Sequence, residues 1–94
     1  MKKFVLITIG FTQPNPEIME SWMQWFKSIE DQIADRIGLR NGKEVTKKGI
    51  TKLDMDKDAI TGYLVINAEN VDEAIHIAQS SPMITSTKIY EAVK

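Results

Sequence analysis

The chain of 94 residues contains no cysteine. That excludes a disulfide framework, a thiol nucleophile and a thiolate metal site. A single histidine gives no basis for a zinc centre, which draws on several imidazole or thiolate ligands. Charge of one sign is also lacking: the formal net charge is -1, without the basic stripe that a nucleic-acid binder sets against phosphates. No apolar run is long enough to span a bilayer. The stretch Met1-Lys2-Lys3-Phe4-Val5-Leu6-Ile7-Thr8-Ile9-Gly10 has a basic start and an apolar run. It has no small-residue cleavage site, so it reads as a strand rather than a signal peptide. With no export signal, the expected compartment is the cytoplasm. Neither a nucleic-acid nor a membrane partner is expected, and no metal or cofactor.

What is present begins with a strand joined to a helix. Ile60-Thr61-Gly62-Tyr63-Leu64-Val65-Ile66 is rich in β-branched and aromatic residues, a strand signal. Asn70 follows as an N-cap, with Glu73 at capping-box spacing. Val71, Ala74, Ile75 and Ala78 then fall at i, i+3, i+4 and i+7, one face of a helix. Pro82 bars its continuation, so the helix is predicted over 71–81.

Upstream, Phe4 to Ile9 reads as strand one. Phe4 and Leu6 alternate with Val5, Ile7 and Ile9, so both faces are apolar, and a strand apolar on both faces is covered on both. Asn15-Pro16 supplies an N-cap and a proline at the first helical position. The spacing of Ile18, Trp22, Trp25, Ile29, Ile33 and Ile37 predicts a helix from Pro16 to Ile37, widened by Met19, Met23 and Phe26. Gly38 stands at C′, and Arg36 in the last turn suits the helix dipole. Between 39 and 57 the signals are local. Asn41-Gly42 is a turn, Glu44-Val45-Thr46 a short edge strand whose lysine neighbours discourage pairing with another chain. Ile50 and Leu53 are candidates to cap the core. Thr87, Ile89 and Val93 alternate with Lys88, Tyr90 and Ala92 as a last strand.

The order β-α-β-β-α-β is the split βαβ arrangement of a ferredoxin-like α+β fold in one domain, residues 1–94. Right-handed crossovers put both helices on one face of an antiparallel sheet, with strands one and three central, adjacent and parallel. Nothing then remains to cover the opposite apolar face. A second copy, sheet against sheet with two-fold symmetry, is the expected cover.

Three segments carry a family likeness. Pro16-Glu17-Ile18-Met19-Glu20-Ser21-Trp22-Met23-Gln24-Trp25 resembles the "PEEM…W" opening of helix one in the YCII-related (DGPF) proteins, a branch of the dimeric α+β barrels. Thr61-Gly62-Tyr63-Leu64-Val65-Ile66 resembles their "GGYYLIE" strand. Val71-Asp72-Glu73-Ala74-Ile75-His76-Ile77-Ala78 with Pro82 resembles their "LDEALELA…CP" helix. The resemblance spans about two thirds of the chain and implies the barrel fold and a homodimer through the sheet face. The Asp-Gly-Pro-Phe stretch is absent where Ile50-Thr51-Lys52-Leu53 stands, and the middle region is shorter. The histidine that some relatives carry early in helix one has no counterpart between Ile18 and Trp25. The resemblance therefore does not bring a His/Asp acid–base mechanism with it.

The candidate ligand-binding residues are Phe11, Trp22, Trp25 and His76. Trp22 and Trp25, at helical spacing with Met19, Met23 and Phe26, fit either plain core or the apolar wall of a pocket. Such a pocket belongs between helix one and the sheet, opening near Gly10 to Asn15, with Phe11 as a lid. Helix two, with its small Ala74 and Ala78, packs too closely to leave one. Gln13 sits in the same loop, and Arg40 past helix one could meet an anion. His76 flanks the stripe of helix two, as a general base beside a pocket or as a partly exposed helix residue. Asp54, Asp56 and Asp58 imitate a calcium loop, but Ala59 and Val65 stand where its glycine and bidentate glutamate belong. Two functions remain. One is a ligand-binding or accessory barrel. The other is a cofactor-free lyase, isomerase or oxygenase acting on a small aromatic or carboxylic acid compound.

Overall fold

The structure is a computed structural model that describes residues 1–93. A four-stranded sheet is built from β1 (Lys2–Ile9), β2 (Ile33–Gly38), β5 (Ile60–Ala68) and β6 (Ser86–Glu91), in the order β2-β5-β1-β6. Two helices, α1 (Pro16–Ser28) and α2 (Val71–Gln79), interleave with these strands in the ferredoxin-like order. A separate hairpin, β3 (Lys43–Thr46) with β4 (Gly49–Lys52), is inserted between β2 and β5.

β1 and β5 are central and adjacent, as the pattern predicts, but they run antiparallel rather than parallel, with Lys2 opposite Ala68 and Leu6 opposite Leu64. The reason is topological. The crossover through α1 returns the chain parallel to β1 one strand away, as β2, and the gap between them is filled by β5. The hairpin connection reverses the direction of β5 with respect to both neighbours.

The first helix is shorter than its apolar spacing predicts. Asn15 caps it, its Oδ1 accepting from the Ile18 N–H at 2.9 Å, and Pro16 occupies its first turn. It ends at Ser28, whose hydroxyl donates to the Trp25 carbonyl at 2.6 Å. A 3-10 turn over Glu30–Gln32 follows, and Ile33–Gly38 is strand β2. Gly38 therefore closes a strand instead of a helix, and Arg36 lies within β2 instead of in a last helical turn. The competing demand is the free edge of β5: its backbone donors and acceptors need a partner strand, and residues 33–38 supply it, pairing Arg36 with Leu64 and Gly38 with Gly62.

The second helix starts as predicted, with the Asn70 side chain accepting from the Glu73 N–H at 2.9 Å, and stops at Gln79, two residues short of the predicted end. Its buried side is Ala74, Ile77 and Ala78, whereas Val71 and Ile75 are exposed. The helix is thus rolled toward Ile77 from the predicted stripe, a roll that brings the two alanines down on the sheet. Asn41, the turn residue, takes a positive φ of 57°, which asparagine tolerates. Glu44-Val45-Thr46 pairs only with β4 and is no edge of the main sheet. Ile50 and Leu53 do not cap the core: both are exposed, and Ile50 faces Val45 across the hairpin. Among the described residues, no helix is long and apolar enough to cross a membrane.

The core is one cluster: Phe4 and Leu6 of β1, Leu64, Ile66 and Ala68 of β5, the buried side of α2, and Trp25 with Ile29 below α1. The opposite face of β1 and β5, with Val5, Ile7, Tyr63 and Val65, is only half-buried. No element of the chain lies over it among the described residues.

Candidate functional site: a cavity beneath the first helix

Alternation along the strands puts two rows of side chains under the helices. One is Arg36, Leu64, Leu6 and Ile89; the next is Gly38, Gly62, Thr8 and Thr87. Where α2 crosses the sheet, it lies close on β1, β5 and β6, whereas α1 stands further off. Between α1 and these rows lies a cavity of about 490 Å³, inside the usual range for small-molecule sites.

Its roof is the apolar side of α1: Ile18, Met19, Trp22, Met23, Trp25 and Phe26. The three aromatic rings form one array. Trp22 meets Trp25 edge to face at 5.6 Å and 86°, and Phe26 is 5.7 Å from Trp22. Trp25 is fixed at both ends, since its ring is buried and its Nε1–H donates to the Ser80 hydroxyl at 2.9 Å. That bond ties α1 to the end of α2. The floor is β-sheet: Leu6 and Leu64, with the hydroxyl residues Thr8, Thr61 and Thr87 beside them.

Two glycines shape the site. Gly62 on the floor is buried, and a Cβ there would come within 2.9 Å of the Ile37 carbonyl oxygen. Gly10, at the mouth, has a φ of 118°, and a Cβ would meet Thr85 at 2.7 Å and 2.8 Å. Such a φ favours glycine. The segment from Gly10 to Pro14 forms the mouth. It is pinned by backbone bonds from Gly10 N–H to Ala59 O (2.8 Å) and from Phe11 N–H to Asp56 O (2.9 Å). The acidic turn at 54–58 is therefore the bracket of this loop. The Asp56 carboxylate accepts from the Asp58 N–H at 2.9 Å.

Phe11, Trp22 and Trp25 come together around this one cavity, Phe11 half-buried at the mouth. His76 does not join them. It is exposed on α2, and its carbonyl accepts from the Ser80 N–H. Arg40 lines a separate pocket near the hairpin, with Leu39, Lys52 and Leu53.

The residue that sequence reasoning missed is Arg36. Its guanidinium carbon sits 4.1 Å from the centre of the Phe26 ring, a cation–π distance, and it is the one charged side chain among the residues lining the cavity. Among the described residues no carboxylate pairs with it, and the one ion pair there is Lys2–Glu91. Its neighbour Asp35 turns its carboxylate back to the Arg36 backbone N–H at 2.8 Å. The signal that could have found it is the alternation in Ile33-Ala34-Asp35-Arg36-Ile37, which a helical reading of Ile33 and Ile37 hides.

No family model matches the chain, and no curated protein matches it in sequence. Among solved structures it is similar to 5-chloro-2-hydroxyhydroquinone dehydrochlorinase (TftG) from Burkholderia phenoliruptrix, in complex with 2,5-dihydroxybenzoquinone. The TM-score is 0.63 over 97% of this chain and 93% of that one, at 14% identity. At that identity the likeness shows the fold, the ferredoxin-like α+β arrangement of the dimeric barrels.

Proposed function

We propose that this protein is a small-molecule-binding barrel of the YCII-related type. It holds one small aromatic or carboxylic acid compound between α1 and the sheet, and acts as a homodimer in the cytoplasm. The observation that carries the reading is the cavity itself: about 490 Å³ under an aromatic roof. Its size and apolar walls suit a single flat ring, and Phe11 stands at the mouth as the lid. A structural neighbour was solved with a ring compound, 2,5-dihydroxybenzoquinone, which agrees with a ligand of that size.

Binding rather than turnover is supported by the lining. Among the described residues it carries no carboxylate, imidazole or amine, the groups that most often move protons between substrate and enzyme. The alternative, a cofactor-free lyase or isomerase, is favoured by one observation: that neighbour is itself a dehydrochlorinase. Incubation with ring compounds under mass-spectrometric detection separates the two, because an enzyme consumes its ligand and a binding protein returns it unchanged.

The dimer reading rests on the face opposite the helices. Val5, Ile7, Tyr63 and Val65 lie there in adjoining strands with Ile37 and Tyr90 at its sides, and an apolar patch of that kind is normally covered. Light scattering at micromolar concentration is expected to give twice the chain mass. Ile7→Glu should split the dimer, since an unpaired charge in that interface is costly, and a wild-type monomer would refute the reading.

The site is tested by tryptophan fluorescence titration against aromatic and short-chain carboxylic acids, repeated with Trp22→Phe and Trp25→Phe. Saturable quenching that changes in these variants supports the site. Quenching that survives in both but vanishes in His76→Ala would move the site to α2.

A further inference from the structure

Resting on the cavity reading above, we infer that the ligand is an anion, an aromatic carboxylate whose carboxylate end is held by Arg36 while its ring lies under Trp22 and Phe26. The lining is otherwise neutral. Every other residue around the cavity is apolar, a hydroxyl residue or a glycine, so Arg36 is its one formal charge. A guanidinium beside an apolar cavity, with no carboxylate paired to it among the described residues, is free to take an anionic partner from solution. The one ion pair among the described residues lies elsewhere, at Lys2–Glu91, and the Asp35 carboxylate is engaged with backbone.

Geometry supports a flat anion in particular. Arg36 belongs to the same sheet row as Leu64 and Leu6, so its side chain rises from the cavity floor at the edge-strand rim. The Phe26 ring lies 4.1 Å from the guanidinium carbon. Stacking on that ring holds one face of the guanidinium and leaves its in-plane N–H groups to point outward. Those N–H groups match the two oxygens of a carboxylate in a bidentate pair. A ring attached to that carboxylate then extends under the aromatic array of α1. At the far side of the floor, Thr8 and Thr87 face each other across β1 and β6, where their hydroxyls can receive a ring hydroxyl.

Four probes and two variants test this in the full-length protein: 4-hydroxybenzoate, benzoate, and their uncharged counterparts 4-hydroxybenzamide and benzamide, against wild type, Arg36→Gln and Arg36→Lys. Arg36 is exposed, so both variants should fold, and circular dichroism checks that. The acids are expected to bind about tenfold or more tightly than the amides, the low end for hydrogen bonds to charged groups. That preference should disappear in Arg36→Gln, the acids losing much more affinity than the amides, and survive in part in Arg36→Lys, which keeps the charge but loses the fork. Added salt should weaken the acids and leave the amides alone. Equal affinity for acids and amides in wild type would overturn the inference and leave the cavity reading standing. Failure of all four probes to give saturable quenching would overturn both.

Discussion

The two helices begin alike and end differently. Each opens on an asparagine whose side chain accepts the backbone N–H three residues on, at 2.9 Å in both. Each presents an apolar side to the same sheet. α2 presents alanines, and Ala74 and Ala78 let its backbone approach until both are buried. α1 presents tryptophans, methionines and a phenylalanine, which hold its axis away from the strands. Some of that apolar surface then finds no protein partner: Met19 is 56% and Met23 70% exposed. Side-chain size alone thus divides the layer between helices and sheet into a dense half that carries stability and a hollow half available for a ligand.

Substitutions that sharpen or break this contrast fall in a definite order. The largest effect is expected from Phe4→Ala, which empties a fully buried position in the dense half and should cost about 3–5 kcal/mol. Chemical denaturation measures it, and a loss below about 1 kcal/mol would mean that the dense half is looser than its burial indicates. Next comes Ala74→Leu. Overpacking under α2 should cost about 1–3 kcal/mol, whereas Met23→Leu on the hollow side should stay within about 0.5 kcal/mol. In a domain of this size, 1 kcal/mol corresponds to a shift of roughly 4–8 °C in Tm, so thermal melts separate the pair. Equal shifts would erase the distinction between the halves.

The caps should behave alike. Asn15→Ala and Asn70→Ala are each expected to cost about 1 kcal/mol, because capping is a local matter indifferent to what lies beneath the helix. A much larger loss at Asn15 would show that the cap also holds the cavity mouth. Trp22→Phe, a half-buried ring replaced by a smaller one, should cost under about 1.5 kcal/mol. Its signature lies in the fluorescence titration instead, where the quenching amplitude should fall while α2 variants leave it unchanged.

Much of this contrast was legible in the residues. The caps at Asn15 and Asn70, the turn at Asn41, strand β1 and the β5–α2 unit all follow from local patterns, and they appear where those patterns place them. The bulky side of α1 and the small residues of α2 were equally plain. What misled was the run Ile29, Ile33, Ile37. A spacing of four satisfies a helical stripe and equally sets residues on one face of a strand. In the structure Ile29 ends the helix and Ile33 begins a strand.

Arg36 goes with that run into β2. As part of a helix its cation would have served the helix dipole; as part of β2 it reaches the cavity. Likewise, Ile50 and Leu53 are apolar enough for a core, but the hairpin that carries them pairs only with itself.

The sequence by itself determined strands β1 and β5, the starts of both helices with their caps, and which helix would be thick and which thin, because these depend on neighbours within one or two turns. The tertiary structure decided where α1 stops, the direction of β5 against β1, and the arrival of Arg36 beside Phe26. Each of these depends on hydrogen bonds and contacts between residues far apart in the chain. The backbone groups along the edge of β5 needed a partner strand, and meeting that need outweighed the helical preference of residues 29–37.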